Sequence, residues 1–401
     1  MDDGMDDLRP GDDDRAMGEA AAPAIEHEVA RPGRGGDLGR MAGDDIQIAF
    51  DIAVQVPIGR VAIDGEVRNQ TGRAIDRRRQ HGAIDPGAHV VPRLSVRYFY
   101  YLARAKYWVN NQSFPHYLTR RKDGVFVQTW HGTPLKRMLH DLPAVPRRDV
   151  GSIDRATRGA QQWSVLVSPS SYVTERMRTA YRYQGPALEV GYPRNDVLHA
   201  PDRHRLGARV RARLNLPEDK QVVLYAPTFR DRRHPGGRLS FTLPFDLDRL
   251  HDALGDDTVL LLRMHLIVST VFKIPPHLRG FVQDVSHYPE VQELYLASDA
   301  LVTDYSSVFF DFAQLRRPMI FYAHDLAVYR DRLRGFYLDY EGDVPGPIVK
   351  TEEALIDALT DLDAVAETYA DRLDGFLQRF APRDDGRAAE RVVKEIFGCH
   401  S

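Results

Sequence analysis

Strands and helices alternate along most of this 401-residue chain, and no other feature constrains its fold as strongly. From about residue 93 onward, short runs of aliphatic and aromatic residues alternate with longer segments of helical periodicity. Alternation of this kind predicts right-handed βαβ units, and therefore parallel sheets covered by helices. We expect an α/β protein with two Rossmann-like domains facing each other across a cleft, one over residues 93–199 and one over residues 200–401.

The first 92 residues have a different composition. Asp, Gly, Arg, Ala and Pro dominate, with acidic clusters at residues 2–3 and 12–14. Residues 46–56 and 61–63 have strand-like patterns, but helical patterns are absent. Chains of this composition bury too little apolar surface to fold. We therefore expect residues 1–92 to be disordered or non-native, which would leave the first domain incomplete.

The overall composition excludes several classes of protein. The 57 acidic and 54 basic residues give a net charge of -3, which argues against a nucleic-acid-binding protein. The single cysteine, Cys399, allows no disulfide within the chain and suits a reducing cytoplasm. No apolar run approaches the roughly 20 residues that span a bilayer. The composition predicts a cytoplasmic protein that is soluble or peripherally attached to a membrane.

A basic and aromatic segment over residues 93–108 has two interpretations. Its sequence, RLSVRYFYYLARAKYW, predicts a helix that runs into a strand. The aromatic and basic face could rest on an anionic membrane. It could equally belong to a core helix with solvated arginines, which the pattern slightly favours.

The segment QTWHGTPLK, residues 128–136, follows a predicted buried strand over residues 124–130. Thr133 is a good N-cap, and Pro134 suits the first position of a helix, where its missing N–H costs nothing. We therefore predict a helix over residues 135–142, directly after a tight turn.

This arrangement would place His131 at the carboxyl end of a strand, facing a helix N-terminus. Anions such as phosphate bind at such positions in α/β sheets. A histidine there can act as a general base at neutral pH, and Lys136 adds positive charge one turn further on. The alternative is a surface loop whose histidine has no function.

A second strand end repeats this logic. A strand predicted over residues 300–303 ends at Thr303, and Ser306 and Ser307 precede a helix predicted over residues 308–315. The serine hydroxyls and the backbone amides beside them can hold a phosphate without a metal. Alternatively, the serines only cap the helix.

Asp311 lies one turn beyond Ser307 on the same face of that predicted helix. It could orient the serines or contact a ligand hydroxyl, and a solvated carboxylate is an equally good interpretation. The sequence contains no Gly-rich dinucleotide fingerprint, no Walker loop and no acidic or histidine cluster with metal-ligand spacing. We therefore predict neither a cofactor nor a metal ion.

Basic side chains follow three further predicted strands. Arg263 and His265 project from the same side of one strand, because side chains alternate, and together they could neutralise a leaving phosphate. Arg230 follows a second strand, and Arg194 with Asn195 follows a third. Each group alone would more often be structural, but these three strand ends and the one before Ser306 and Ser307 make four, which together indicate an anion-binding edge.

These motifs resemble those of the CDP-glycerol glycerophosphotransferase family, the teichoic acid primases and polymerases of bacterial cell walls. They occur in the family's order as WVNNQSFP at 108–115, QTWHGTPLK at 128–136, GYPRND at 191–196, YAPTFRD at 225–231, RMH at 263–265, TDYSSVFFDF at 303–312, RPMIFY at 317–322 and GFYLDY at 335–340. HGTPLK combined with TDYSS is the most specific signal. The resemblance covers roughly residues 93–345 and implies a GT-B architecture with the active site between two Rossmann-like domains.

The resemblance also implies roles for individual residues. His131 matches the family's proposed catalytic base, and His265, beside Arg263, matches its second essential histidine near the donor phosphates. Donor-binding positions are matched by Ser306, Ser307, Asp311 and, less closely, Arg230. Lys136, Arg194, Asn195 and Thr303 complete the set that we expect to bind substrate.

The implied reaction transfers glycerol phosphate from CDP-glycerol to a hydroxyl of a membrane-linked polyol phosphate acceptor, and CMP leaves. We expect it at the inner face of the plasma membrane, in peripheral contact with anionic lipid. A CDP-ribitol donor stays open, because the motifs do not fix the length of the polyol. A nucleotide-sugar glycosyltransferase and an inactive remnant also stay open, the latter because residues 1–92 do not resemble the family's first strands and helices.

Overall fold

The computed structural model describes residues 48–51, 61–64, 89–143, 150–228, 243–264, 272–327 and 335–398. Arg230, His265 and Cys399 lie outside these ranges. The described part of the chain forms two parallel β-sheets with helices between their strands. The α/β class predicted from the alternating pattern is confirmed.

The first sheet has seven strands among the described residues. They are β1 (Ile48–Asp51), β2 (Val61–Asp64), β3 (His89–Pro92), β4 (Tyr107–Asn110), β5 (Val125–Gln128), β6 (Val165–Ser168) and β7 (Ala187–Glu189). Their order is β3-β2-β1-β4-β5-β6-β7, and every neighbouring pair is parallel. The helices of this part are α1 (Val96–Arg104), α2 (Val150–Ala160) and α3 (Ser171–Tyr181).

The second sheet has six strands among the described residues. They are β8 (Gln221–Tyr225), β9 (Thr258–Leu262), β10 (Val282–Asp284), β11 (Ala300–Thr303), β12 (Met319–Tyr322) and β13 (Ile348–Val349). Their order is β10-β9-β8-β11-β12-β13, again with parallel pairs. Every residue of β9, β11 and β12 is buried, as expected for strands covered on both faces.

Nine further α-helices follow β7 within the described residues. They are α4 (Arg203–Arg213), α5 (Leu247–Leu254), α6 (Val291–Ala297), α7 (Val308–Phe312), α8 (Tyr340–Asp343), α9 (Glu352–Thr360), α10 (Leu362–Thr368), α11 (Ala370–Phe380) and α12 (Ala388–Phe397). At the start of α9, the Thr351 hydroxyl caps the helix by accepting a hydrogen bond from the Ala354 N–H at 3.2 Å.

The strand order of each sheet reverses at one point, between β1 and β4 in the first sheet and between β8 and β11 in the second. The connections diverge at such a switch point and leave a crevice at the carboxyl ends of the strands, where ligands bind. In the second sheet this crevice is edged by residues 226–228 after β8 and residues 304–307 after β11. The turn that carries His131 follows β5 in the first sheet.

The chain divides between the two sheets near residue 200, but the two parts are not simple halves. Strands β1, β2 and β3 join the first sheet although they precede residue 93. The remainder of residues 1–92 lies outside the described residues, so its disorder stays a prediction. Helix α12 packs back onto the first sheet, where the Phe397 ring lies 4.6 Å from that of Tyr107.

The helix predicted over residues 135–142 does not form, and this prediction was wrong. Lys136 instead makes an antiparallel bridge with Phe336. The residues on either side of Lys136 exchange backbone hydrogen bonds of 2.9 and 3.2 Å with residues 337 and 335. We call residues 335–337 the strap. Pairing with this distant segment has overridden the local helix propensity, and only a 3₁₀ helix over Leu139–Asp141 follows.

Candidate active site

An aromatic cluster holds the turn that carries His131. The turn begins at Trp130, whose φ of 55° is unusual for a bulky residue. The Trp130 side chain is buried, and its ring lies 5.3 Å from that of Tyr181 and 6.4 Å from that of Trp163. This packing holds the strained backbone in place and so fixes the direction in which residue 131 leaves the sheet.

One hydrogen bond and one ring contact orient the imidazole of His131. Its Nδ1 lies 2.8 Å from the carbonyl oxygen of Asn111, and its ring lies over Trp130 with a centroid distance of 4.3 Å. Because a carbonyl oxygen only accepts, Nδ1 carries the proton of the neutral ring. Nε2 is then the nitrogen that can accept a proton.

The surroundings of His131 favour its neutral form. Partial desolvation of the ring lowers its pKa, the bond to the Asn111 carbonyl acts in the opposite direction, and the positive charge of Arg194 lowers the pKa further. The residue keeps an exposed edge, so the ring is crowded by neighbours but reachable from solvent. A neutral, reachable imidazole can serve as a general base at pH 7.

The turn after β5 meets the beginning of α7 at Gly132 and Ser307. A Cβ atom added to Gly132 would lie 2.9 Å from Ser307 Oγ. Ser307 occupies the N-cap position of α7, but its hydroxyl makes no capping hydrogen bond there. The Ser307 side chain therefore does not cap the helix in this structure, and phosphate binding by the serines stays a prediction. The structure brings the histidine motif and the serine motif together, as the sequence predicts.

Lys136 reaches the switch point of the second sheet, where its Nζ lies 3.4 Å from Thr228 Oγ1. The Thr228 N–H donates to Asp304 Oδ1 at 2.7 Å, and the Thr303 hydroxyl donates to the Ala226 carbonyl at 2.7 Å. These bonds tie the ends of β8 and β11 together. Thr303 therefore has a structural partner at the crevice, and Lys136 supplies positive charge at its edge.

Arg194, Asn195 and Asp311, each predicted to bind substrate, bind one another. The Arg194 guanidinium donates from Nε and Nη2 to the two oxygens of Asp311 at 3.0 and 2.9 Å. Asn195 Nδ2 donates to Asp311 Oδ1 at 2.9 Å. The Arg194 and Asp311 side chains are only 17% and 9% exposed. In the structure these side chains are occupied by one another, and their contact with substrate stays a prediction.

Asp384 joins this group, although nothing in the sequence singled it out. Its Oδ1 accepts the Tyr192 N–H at 2.5 Å, and its Oδ2 accepts from Asn195 Nδ2 at 3.3 Å and from Gln314 Nε2 at 3.2 Å. Burial raises the pKa of Asp384 to about 7. Asp384 lies in a polar turn after α11, where aspartate is common. The local sequence therefore gives no reason to expect that its side chain is buried and bonded to this group.

The Arg263 side chain donates hydrogen bonds to backbone carbonyls that follow the neighbouring strand β10. Its Nη1 donates to the carbonyl of Val285 at 3.0 Å and also to that of Tyr288. Desolvation lowers the pKa of the guanidinium. The two other residues expected at the donor phosphates, Arg230 and His265, lie outside the described residues. The roles of these three side chains stay predictions.

Metal ligands and membrane spans can be assessed only for the described residues. Within those ranges, no group of three or more His, Cys, Asp or Glu side chains is placed to hold a metal ion. The same part of the chain has no helix with the length and apolarity needed to cross a membrane. The cations described at the site include the side chains of Lys136 and Arg194.

Two parallel α/β sheets, with a general-base candidate at the edge of one and a hydroxyl-rich switch point in the other, define a transferase of the GT-B type. The chain belongs to the CDP-glycerol:poly(glycerophosphate) glycerophosphotransferase family, which it matches over residues 73–398. The match begins within the segment 1–92 that composition suggested to be disordered or non-native.

Related proteins have the same fold and related names. The teichoic acid poly(glycerol phosphate) polymerase of Bacillus subtilis is 41% identical over 317 residues, which cover 78% of this chain and 42% of that protein. The teichoic acid glycerol-phosphate transferase of Staphylococcus aureus is 44% identical over 313 residues, covering 77% of this chain and 80% of that protein. The structure of the wall teichoic acid polymerase TagF aligns with a TM-score of 0.78 at 36% identity, covering 88% of this chain and 89% of that chain. This chain thus spans less than half of the Bacillus subtilis relative.

Proposed function

We propose that the protein transfers glycerol phosphate from CDP-glycerol to a hydroxyl of a membrane-linked teichoic acid or related cell-surface polymer, releasing CMP. Two relatives are named as a poly(glycerol phosphate) polymerase and a glycerol-phosphate transferase, and these names support this substrate class. The observation that carries the proposal is the contact between the His131 turn and Ser307. This contact supports the proposal that His131 and the Ser307 hydroxyl act on the same substrate.

In the proposed reaction, His131 Nε2 takes the proton of the acceptor hydroxyl, while Nδ1 stays bonded to the Asn111 carbonyl. The acceptor oxygen attacks the β-phosphorus of CDP-glycerol. The bond from that phosphorus to the oxygen bridging the two phosphates breaks, and CMP leaves with the electron pair. Ser306, Ser307 and Lys136 stabilise negative charge on the transferred group, so positioning and electrostatics supply most of the rate enhancement.

His265, Arg230 and Arg263 act at the leaving CMP in this proposal. Two features of the second sheet support this assignment. Residue 230 follows β8, which edges the switch point, and residue 265 follows β9, which pairs with β8 along five residues.

We also propose that the protein works in the cytoplasm, peripherally at the inner face of the plasma membrane, in contact with anionic lipid. Helix α1 supports this. It buries Tyr98 and Leu102 against the core and exposes Val96 to 86% and Tyr100 to 56%. The Arg104 guanidinium lies 5.5 Å from the Tyr100 ring. A helix with exposed apolar side chains beside arginines suits the interface of an anionic membrane.

Vesicle sedimentation tests the membrane contact. The wild type is expected to pellet with phosphatidylglycerol vesicles and not with phosphatidylcholine vesicles, and Val96→Asp is expected to weaken the binding. Val150→Asp is the matched control, because Val150 is 47% exposed on a different helix. Equal pelleting of the wild type and Val96→Asp would contradict the contact.

Release of CMP from CDP-glycerol, with a lipid-linked glycerol phosphate acceptor, tests the reaction. We expect His131→Gln to lower the rate by at least about 100-fold, because a general base contributes roughly 10²–10⁴-fold. His140→Gln serves as the control, since His140 is half-buried in the same segment but bonds to Thr157 Oγ1 at 2.9 Å. A His131→Gln rate equal to that of the wild type would show that His131 is not the general base.

Labelling separates the remaining alternatives. With ³²P in the β-phosphate of CDP-glycerol, label in the polymer supports glycerophosphate transfer. Label that stays with a released nucleoside diphosphate would indicate a glycosyltransferase. Faster turnover of CDP-ribitol than of CDP-glycerol would show that the preferred donor carries ribitol. Binding of CDP-glycerol without any turnover would identify a remnant.

A further inference from the structure

A buried cluster of polar side chains joins three distant segments of the chain behind the candidate site. We call it the carboxylate cluster, and its members are Tyr192, Arg194, Asn195, Asp311, Gln314 and Asp384. They come from the segment after β7, from α7 with the 3₁₀ helix that follows it, and from the turn after α11. The cluster thus links the end of the first sheet to the helix that begins after Ser307.

Asp384 provides three of the hydrogen bonds in this cluster. One of its oxygens accepts a backbone N–H from Tyr192 at 2.5 Å, and the other accepts the side-chain amides of Asn195 and Gln314 at 3.3 and 3.2 Å. Because a buried carboxylate is costly unless its lone pairs are bonded, these three donors fix its position. In return, the carboxylate fixes the turn over residues 192–195.

The turn over residues 192–195 is bonded to one part of the site and acts on the other through charge. The Arg194 guanidinium lies 3.7 Å from the centre of the Tyr192 ring and bonds Asp311 through two nitrogens. Asp311 lies on α7, one turn beyond Ser307. Arg194 is also near enough to His131 for its charge to act on the imidazole. Movement of this turn would therefore shift α7, and Ser307 at its start, and would change the electrostatic field at the His131 imidazole.

We propose that Asp384 is a positioning residue for the reaction, because it fixes the turn that holds α7 through Asp311 and keeps the charge of Arg194 near His131. The inference rests on the proposed function, in which His131 is the base. Burial raises the pKa of Asp384 to about 7, and the charged groups that face it are Asp311 from α7 and Arg194 from the turn. Asp384 touches neither substrate in this assignment and acts only through the turn.

Asp384→Asn tests the proposal, because the amide keeps only one acceptor oxygen and so loses either the bond from the Tyr192 N–H or the two bonds from Asn195 and Gln314. We expect kcat/KM for CMP release to fall about tenfold or more, as misplacement by about 1 Å can cost 10²-fold. We also expect the midpoint of the His131 imidazole titration, followed by NMR, to rise toward that of an ordinary histidine. The signal is assigned as the one missing in His131→Gln.

Asp385→Asn is the matched control, because Asp385 is a neighbouring aspartate that pairs with Arg391 on the surface. It is expected to change neither the rate nor the titration. Equal values for Asp384→Asn and Asp385→Asn in both measurements would overturn the proposal. If the wild type released no CMP, the proposed function would fail, and the titration of His131, which needs no substrate, would still decide the positioning role.

A second variant covers the case in which Asp384→Asn does not fold. Gln314→Met removes one donor to Asp384, together with the 3.2 Å bond between Gln314 Oε1 and His199 Nε2, and keeps the carboxylate with its bond to the Tyr192 N–H. We expect a smaller upward shift of the His131 titration and a smaller loss of kcat/KM, both in the same direction. A folded Gln314→Met protein with wild-type values in both measurements would count against the inference.

Discussion

Gly132 and Ser307 approach each other so closely that a Cβ atom on Gly132 would lie 2.9 Å from Ser307 Oγ. One residue belongs to the turn after β5 and the other immediately precedes α7, so this contact joins the two sheets at the candidate site. Cβ atoms essentially never lie that close to another heavy atom. The side chain of Ser307 would have to turn away from any larger residue at position 132.

Gly132→Ala is therefore expected to reduce activity and to leave stability nearly unchanged. The displaced atom is the end of a small side chain, so the fold can accommodate the methyl group while Ser307 Oγ loses its position. We expect kcat/KM for CMP release to fall about tenfold, with a melting temperature close to that of the wild type. Gly280→Ala is the control, because a Cβ atom there meets nothing within 4 Å. A Gly132→Ala enzyme with wild-type kcat/KM would contradict the prediction.

The rate should depend on pH through His131. Only the neutral imidazole can take a proton, and desolvation together with Arg194 lowers the pKa of His131 below its usual value of 6.5. We expect kcat/KM to be constant near pH 7 and to fall on acidification with a midpoint below 6.5. The residual activity of His131→Gln should lack this inflection. A midpoint above 6.5 in the wild type would show that the imidazole is not desolvated as described.

The stability of the protein should depend on pH through Asp384. Its pKa is about 7 in the folded protein and 3.8 for the ordinary group, so between these values the folded state binds a proton that the unfolded chain has lost. The free energy of unfolding contributed by this group therefore falls as pH rises from about 4 to 7 and stays lower above that range. We expect the melting temperature of Asp384→Asn, relative to the wild type, to be higher at about pH 8 than at about pH 5.

Asp385→Asn again provides the comparison. The side-chain hydrogen bond from Arg391 lowers the pKa of Asp385. Its contribution to stability is complete above the ordinary pKa and is lost only as pH falls below it. The difference in melting temperature between Asp385→Asn and the wild type should therefore be the same at about pH 5 and about pH 8. A parallel pH dependence for the two variants would refute the assignment.

Tyr337→Phe should destabilise the strap. The Tyr337 hydroxyl accepts the Met138 N–H at 3.1 Å and donates to Asp141 Oδ2 at 2.5 Å. Removing it leaves a half-buried donor unsatisfied, which typically costs about 1–3 kcal/mol. We expect a loss of that size in urea unfolding, with a raised KM for CDP-glycerol because Lys136 pairs with the strap. Tyr117→Phe, at a tyrosine that is 60% exposed, should be neutral.

Much of the fold follows from local patterns. Strand β11 occupies residues 300–303, as predicted, because a short aliphatic run between polar turns leaves few alternatives. The meeting of the His131 and Ser307 segments was also foreseeable, since both follow parallel strands and ligand sites form at the carboxyl ends of such strands. The order of strands and motifs along the sequence is enough to predict that both motifs lie at strand ends.

Pairings between distant residues were not foreseeable from one sequence. Arg194 and Asp311 are 117 residues apart, and each alone has the appearance of a ligand-binding residue. The bridge between Lys136 and Phe336 replaces a helix that Thr133 and Pro134 locally favour. In both cases a residue distant in the sequence determines what the side chain or backbone does. The neighbouring sequence does not identify that distant residue.

Helix α12 covers the first sheet, although it is synthesised about 200 residues after β7, the last strand of that sheet in chain order. At typical translation rates this separation corresponds to a delay on the order of tens of seconds. During that interval the valines of β4, β5 and β6 that later contact α12 have no cover from it. A growing chain would thus present an apolar surface to chaperones well before it could act on any nucleotide.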